Sequence, residues 1–292
     1  MRRLAALLFL VACGTPPAPL SYPTDEAIGP FALDPSSPVI ARSTNPSDPD
    51  YGGATAPSVW HDARGYHAVY LGLDANGNGS LLGADSLNGF DWIKRAAPLL
   101  GTTPGLGRPA ALGLSDGGVA LYHAQLGADG GSDVVGPSGA VVIPGGDQPC
   151  ATVAAGVTWL FALMPDGAIH GFKSASSRFV DQGVALGPDA DAGADGGFDT
   201  FAVSAPTAFV ETSALDRTLF RLWYVGIDQS GGTPSIGLAG SFGGTGFERY
   251  AENPVRYHGD VPAVYQVDGG LAMLYSQTPF DAPTDISLAT GP

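Results

Sequence analysis

"SIGLAGSFGGTGFERYAENPV", Ser235 to Val255, has an echo in "SLLGADSLNGFDWIKRAAPLL", Ser80 to Leu100. Each reads as a short strand, a glycine-containing turn, a Phe, and a stretch that ends in Pro and an apolar residue. Two copies of so particular a shape in one chain mean internal repetition. Repetition constrains the fold before any chemistry is considered.

Working outward, five segments share one beginning: "TAPSVW" at Thr55, "GRPAAL" at Gly107, "DQPCATV" at Asp147, "SAPTAFV" at Ser204 and "DVPAVY" at Asp260. Their prolines, Pro57, Pro109, Pro149, Pro206 and Pro262, are expected at the first position of a strand, where a missing N–H need not join the ladder. A turn and an aromatic-rich second strand follow each start, as in "GYHAVYLG" from Gly65 and "TLFRLWYVG" from Thr218. Third strands follow at Ser80, Asp133, Ala168, Ser235 and Asp285. The fourth is the Phe-to-Pro stretch, which looks degenerate in segments two and three, near "AVVIP" at Ala140 and "GVALG" at Gly183. Four antiparallel strands repeated five times predict an all-β, five-bladed β-propeller. A β-sandwich is the alternative, but it leaves five similar starts unexplained.

The fifth segment stops after its third strand. "FALDPSSPVI", Phe31 to Ile40, has the Phe-to-Pro shape of a fourth strand. It is therefore expected to complete the last blade and close the ring, which removes an exposed edge.

Composition agrees with this reading. Among 292 residues, Gly (43) and Pro (25) are abundant and only 14% are charged, which suits short strands and tight turns rather than long amphipathic helices. A formal net charge of −15 argues against nucleic acid and anionic lipid surfaces as partners. At the N-terminus, Arg2 and Arg3 precede an apolar run, Leu4 to Val11, that is too short to span a bilayer. "LVAC", Leu10 to Cys13, resembles the lipobox of bacterial lipoproteins. That resemblance implies a signal peptide over 1–12, lipidation of Cys13 and a membrane anchor. Gly14 rather than Asp follows, which favours the outer membrane of the cell envelope. An ordinary secretory peptide is the alternative. Residues 13–30, rich in Pro and small residues, read as a flexible tether, and 31–292 as the propeller. With Cys13 lipidated, Cys150 has no intramolecular disulfide partner and is expected to be a buried thiol.

The blade pattern resembles the five-bladed propellers of the arabinanase, levansucrase and invertase superfamily, which includes glycoside hydrolase family 43. The resemblance rests on the Pro-containing blade starts, the hairpin from Tyr66 to Trp92 and the terminal strand closure. It implies a site at the ring centre, with two Asp and one Glu as base, pKa modulator and acid. One of these commonly stands just before a blade-start proline. Glycoside cleavage needs such carboxylates to protonate the leaving oxygen and to activate water or attack.

Here the residues before the prolines are Ala56, Arg108, Gln148, Ala205 and Val261. Strand alternation adds Ser58, Ala110, Cys150, Thr207 and Ala263 to the same face. None is a carboxylate. Asp147, Asp260 and Glu211 are the remaining catalytic candidates, with solvated loop charge as the alternative. The expectation is a non-catalytic propeller that binds a ligand, carbohydrate first, through Arg108, Gln148, Ser58, Thr207, Trp60 and His61. A glycosidase with displaced carboxylates is the rival.

No cofactor or metal is expected. "DANGNGS", Asp74 to Ser80, reads as a polar hairpin turn rather than a calcium loop. The Asp-rich stretch from Gly187 to Asp199 reads as a flexible low-complexity insertion. The five histidines lack paired metal spacing, and nucleophile-elbow and nucleotide motifs are absent from the sequence.

Overall fold

The computed structural model describes residues 29–127, 130–176, 178–189, 197–212, 217–229, 232–277 and 284–291. Residues 1–28, with the signal peptide, Cys13 and most of the tether, lie outside them.

The described chain is built from β-strands in five antiparallel sheets arranged as the blades of a ring. A short strand, β1 (Ala32–Leu33), comes first. Blade one contains β2 (Gly53–Asp62), β3 (Gly65–Leu73), β4 (Gly79–Ser86), β5 (Ile93–Lys94) and β6 (Leu100–Thr103). Blade two contains β7 (Leu106–Gly113), β8 (Val119–Leu126), β9 (Ser132–Val135) and β10 (Val141–Ile143). Blade three contains β11 (Asp147–Ala154), β12 (Val157–Leu163), β13 (Ile169–Ala175) and β14 (Arg178–Leu186). Blade four contains β15 (Ala202–Thr212), β16 (Thr218–Ile227), β17 (Ser235–Ser241) and β18 (Glu248–Arg249). Blade five contains β19 (Gly259–Val267), β20 (Gly270–Gln277) and β21 (Ile286–Gly291), and β1 completes it.

The N-terminal strand closes the last blade, as expected. Ala32 pairs with Thr290 and Leu33 with Ala289, and further along Ile40 bridges to Ile286. Phe31 and Ile40 are both buried, so the closing segment contributes core as well as hydrogen bonds.

The two echoing stretches that point to repetition share an architecture with the N-terminal segment. In each, the chain touches the third strand twice. The first touch is β5 on β4, β18 on β17, or β1 on β21. The chain then bows out at a proline and returns. The second touch falls at equivalent residues: Leu81 meets Leu100, Ile236 meets Arg256, and Ile286 meets Ile40. The second touch is why blade one carries a fifth strand, β6, that sequence reading merged into the fourth. Blade three departs the other way. Its fourth strand, read as degenerate, is the full-length β14, which crosses two register shifts against β13 and bends at Gly183 (φ 100°).

The second strands β3, β12, β16 and β20 are buried along most of their length in the stack between blades, as their dense apolar content requires, whereas β8 of blade two alternates buried with half-buried residues. Tyr70, Tyr224 and Tyr275 occupy equivalent positions on β3, β16 and β20, and each is fully buried with a polar partner for its hydroxyl. Tyr70 donates to Asp50 at 3.3 Å, and Asp50 also takes Lys94 at 2.7 Å. Tyr224 donates to Asp199 at 2.8 Å, and Asp199 takes Arg249 at 2.7 Å. Blades one and four thus repeat one Tyr–Asp–cation unit. Asp199, which the sequence groups with a low-complexity tract, is a buried structural carboxylate. Residues 190–196 of that tract lie outside the described residues.

Candidate functional site at the ring centre

The innermost strand of every blade carries one extra residue at the same place. Partners jump from Thr55/Leu71 to Ser58/Val69 in blade one, and from Asp147/Leu163 to Cys150/Phe161 in blade three. Blades four and five do the same between Ser204 and Thr207 and between Asp260 and Ala263. This is a β-bulge repeated around the ring. At four of the bulges a residue other than glycine is left-handed: Ala56 (φ 51°), Gln148 (49°), Ala205 (48°) and Val261 (47°). Such a conformation is strained, most of all for the β-branched Val261.

The bulge frees the N–H of each left-handed residue from the ladder, and a side-chain oxygen takes it in every case. Ala56 N donates to Ser276 Oγ (3.4 Å), and Gln148 N to Asp147 Oδ1 (2.8 Å). Ala205 N donates to Gln148 Oε1 (2.8 Å), and Val261 N to Asp260 Oδ1 (2.8 Å). The blade-start prolines therefore sit within strands, at bulges, rather than at first positions. The bulge is what makes their missing N–H harmless. It also breaks the period-two alternation on which the face assignment before and after each proline relied.

Blade two is offset by one residue. Its partners jump from Leu106/Gln125 to Pro109/His123. Gly107 therefore aligns with the left-handed residues, and Arg108 with the prolines of the other blades. The sequence alignment on Pro109 misses this shift.

Arg108 is 5% exposed and reaches across the ring from blade two. Its Nη2 donates to Thr207 Oγ1 of blade four at 3.1 Å and to the Pro262 carbonyl of blade five at 3.0 Å. The Thr207 hydroxyl also donates to the Pro262 carbonyl. Nε and Nη1 have no partner among the described residues. Burial pushes the guanidinium down to about 10, opposed by the charges of Cys150, Asp260 and Asp147. Burial likewise raises the Asp260 carboxyl, against the Val261 N–H and Arg108, and raises the Cys150 thiol to about 11.

The remaining residues singled out from sequence divide by location. Ser58 Oγ accepts Ala111 N at 2.9 Å and ties blade one to blade two. Arg108, Gln148, Thr207, Asp147 and Asp260 belong with it at the inner-strand bulges. Glu211 does not. It lies about 20 Å along β15 from Ala205, at ~3.3 Å per residue, and pairs with Arg221 at 2.6 Å. Trp60 and His61 are also toward the far end of their strand. The Trp60 ring packs 5.1 Å from His67, with Arg95 over it at 6.0 Å, and exposed His61 is 4.6 Å from Tyr66.

Sequence reading overlooked the polar cluster beside Trp60. His67 Nδ1 meets Asp85 at 2.6 Å and Nε2 meets Asp62 at 3.0 Å, while Arg95 grips Asp85 through two nitrogens. His67 and Asp85 are register partners on β3 and β4, a pairing that strand alternation could have suggested. In the "DANGNGS" turn, Asp74 Oδ1 accepts Asn76 N and Asn78 N, so the carboxylate caps its own turn. Among the described residues, no group of His, Cys, Asp and Glu is arranged to hold a metal ion.

No family model matches the chain, and no curated protein does. Among solved structures, it is similar to a Bacteroides ovatus glycosyl hydrolase (11% identity, TM-score 0.67, 90% of this chain and 94% of that one). It is also similar to the catalytic domain of a GH62 alpha-L-arabinofuranosidase from Coprinopsis cinerea (12%, 0.66, 90% and 97%). A thermostable family-43 glycoside hydrolase is a third (14%, 0.60, 82% and 89%). At these identities the likeness is one of fold. The five-bladed propeller seen in such glycoside hydrolases is the architecture of this chain.

Proposed function

We propose that this propeller is a ligand-binding module of the cell envelope that does not hydrolyse its ligand, with carbohydrate as the first class to test. One observation carries the reading. Asp147 and Asp260, the carboxylates at the inner bulges, each spend an oxygen on the N–H of a strained neighbour, while Arg108 keeps unpartnered donors. Such a centre is equipped to hold oxygen-rich groups rather than to shuttle protons between two free carboxylates. A glycan array combined with aryl-glycoside assays tests it. Retention of a glycan without turnover is expected. Multiple-turnover hydrolysis would overturn it.

A second reading, a glycosidase with displaced carboxylates, is favoured by one feature: burial raises the Asp260 carboxyl, as a general acid requires. It predicts that Asp260→Asn or Asp147→Asn loses ~10² or more in turnover. The non-catalytic reading predicts no such activity to lose.

We further propose that the chain is tethered through a lipid on Cys13, probed by palmitate labelling of the full chain. Labelling that persists in Cys13→Ser would overturn the anchor.

A further inference from the structure

We propose that the ligand of the ring centre bears a carboxylate, which supplies the counter-charge that Arg108 lacks; a sugar acid such as a uronate is the form that fits. This rests on the binding role proposed above and narrows it to one chemical class.

The argument begins with what the guanidinium touches. Nη2 is held by two neutral acceptors, the Thr207 hydroxyl and the Pro262 carbonyl. These fix the head group across the ring but leave its charge unbalanced. Nε and Nη1, with three N–H bonds between them, are buried and without acceptors among the described residues. A buried, unpaired charge with unmade hydrogen bonds is costly, and it persists where the surroundings over-determine it.

The neighbouring carboxylates do not fill the gap. Asp147 and Asp260 act on Arg108 through space, but each is turned toward its own bulge N–H. They cannot swing to the guanidinium without exposing a left-handed residue's N–H. Arg108 itself is buried, whereas its neighbours at the bulges, Ser58, Gln148, Thr207 and Val261, are only half-buried. The wall beside it is narrow in chemistry: Ala56, Ala205 and Ala110 are small and apolar, and Gln148 has committed its oxygen to Ala205 N while its amide N–H₂ can still donate. Nε and Nη1 of Arg108 are donors without an acceptor among the described residues. A carboxylate accepts from several donors at once through two oxygens and brings the missing charge, whereas a neutral hydroxyl accepts through one oxygen and brings no charge.

The test uses purified protein, calorimetry and thermal shift with galacturonate, glucuronate, acetate, galactose and glucose at one ionic strength and pH 7. The uronates are expected to bind at least tenfold more tightly than the neutral sugars and to raise the melting temperature. Acetate should bind more weakly than the uronates. Arg108→Gln should lose uronate binding tenfold or more, and Arg108→Lys should retain part of it. The wild-type Arg108 Nε–H resonance should also move on titration with galacturonate, a readout that does not depend on either variant folding. Uronates no tighter than neutral sugars, or an unmoved Nε–H resonance, would overturn the inference. If neutral glycans bind and uronates do not, the binding role stands and this narrowing falls. If none of the glycans or acids binds, both fall. Acetate that matches the uronates would keep the carboxylate and remove the sugar.

Discussion

Gln148 of blade three accepts the backbone N–H of Ala205 in blade four at 2.8 Å, so one strained bulge is held by the next. Replacing Gln148 with Leu keeps the volume and deletes the acceptor. The Ala205 N–H is then buried and unsatisfied, a cost of ~1–3 kcal/mol. Urea unfolding should show a lower midpoint with an unchanged slope. Gln148→Glu keeps an acceptor oxygen and should lose less. Equal midpoints for Gln148→Leu and wild type would show that the bond contributes nothing.

The repeated Tyr–Asp–cation unit gives a second test. Tyr70→Phe and Tyr224→Phe each remove one donor to a buried carboxylate, Asp50 or Asp199. Each should cost ~1–3 kcal/mol. Blades one and four are not neighbours in the ring, so the double variant should be additive to within ~0.5 kcal/mol. A large non-additive term in chemical denaturation would mean that the blades communicate through the core.

A pH dependence follows from His170. Its ring lies between Asp166 (2.9 Å) and Asp181 (3.1 Å). Burial disfavours the charged imidazole, but the two carboxylates outweigh it and raise the group above the usual histidine value of 6.5. A raised folded-state pKa contributes stability below the unfolded value and loses it as pH rises through the folded value. The melting-temperature advantage of wild type over His170→Asn should therefore be full below the ordinary histidine value of 6.5 and shrink as pH rises from there through the raised folded-state value. An NMR titration of His170 with a midpoint at or below an ordinary histidine would contradict this.

Ring closure can be tested by truncation. A chain beginning at Phe31 retains β1, the buried Phe31 and Ile40, and their hydrogen bonds to Val255, Leu288 and Ile286. A chain beginning at Ser43 loses them all. Burial of a Phe alone is worth ~3–5 kcal/mol on truncation to Ala. The shorter chain should melt well below the longer one or fail to fold. Identical melting curves would refute the closure.

Much of the fold was legible in the sequence because the repeat is written in residues with strong local meaning. Prolines mark the inner strands, and the Phe-to-Pro shape marks the outer ones, including the segment from Phe31 to Ile40. The site was less legible. Alternation is a property of regular strands, and the inner strands are bulged at the very residues in question. Residues before proline usually avoid helical backbone and favour extended conformations, so nothing in "TAPS" or "DVPA" announces a left-handed Ala56 or Val261. The one-residue offset of blade two hides for the same reason: Pro109 looks like its counterparts and is one step away from them. Asp147 and Asp260 read as catalytic candidates or solvated loop charges, and not as caps of the bulges, because their partners are backbone N–H groups that exist only once the bulge has formed.

Because β1 joins β21, blade five is made from both ends of the chain, and contacts between Ile40 and Ile286 span nearly its whole length. The entropy of closing so long a loop must be met before that pairing returns any stabilisation. Blades one to four can each assemble from neighbouring sequence as the polypeptide emerges, whereas the fifth waits for the last strand. The circle is therefore sealed late, and until then β21 offers an open edge to any passing chain.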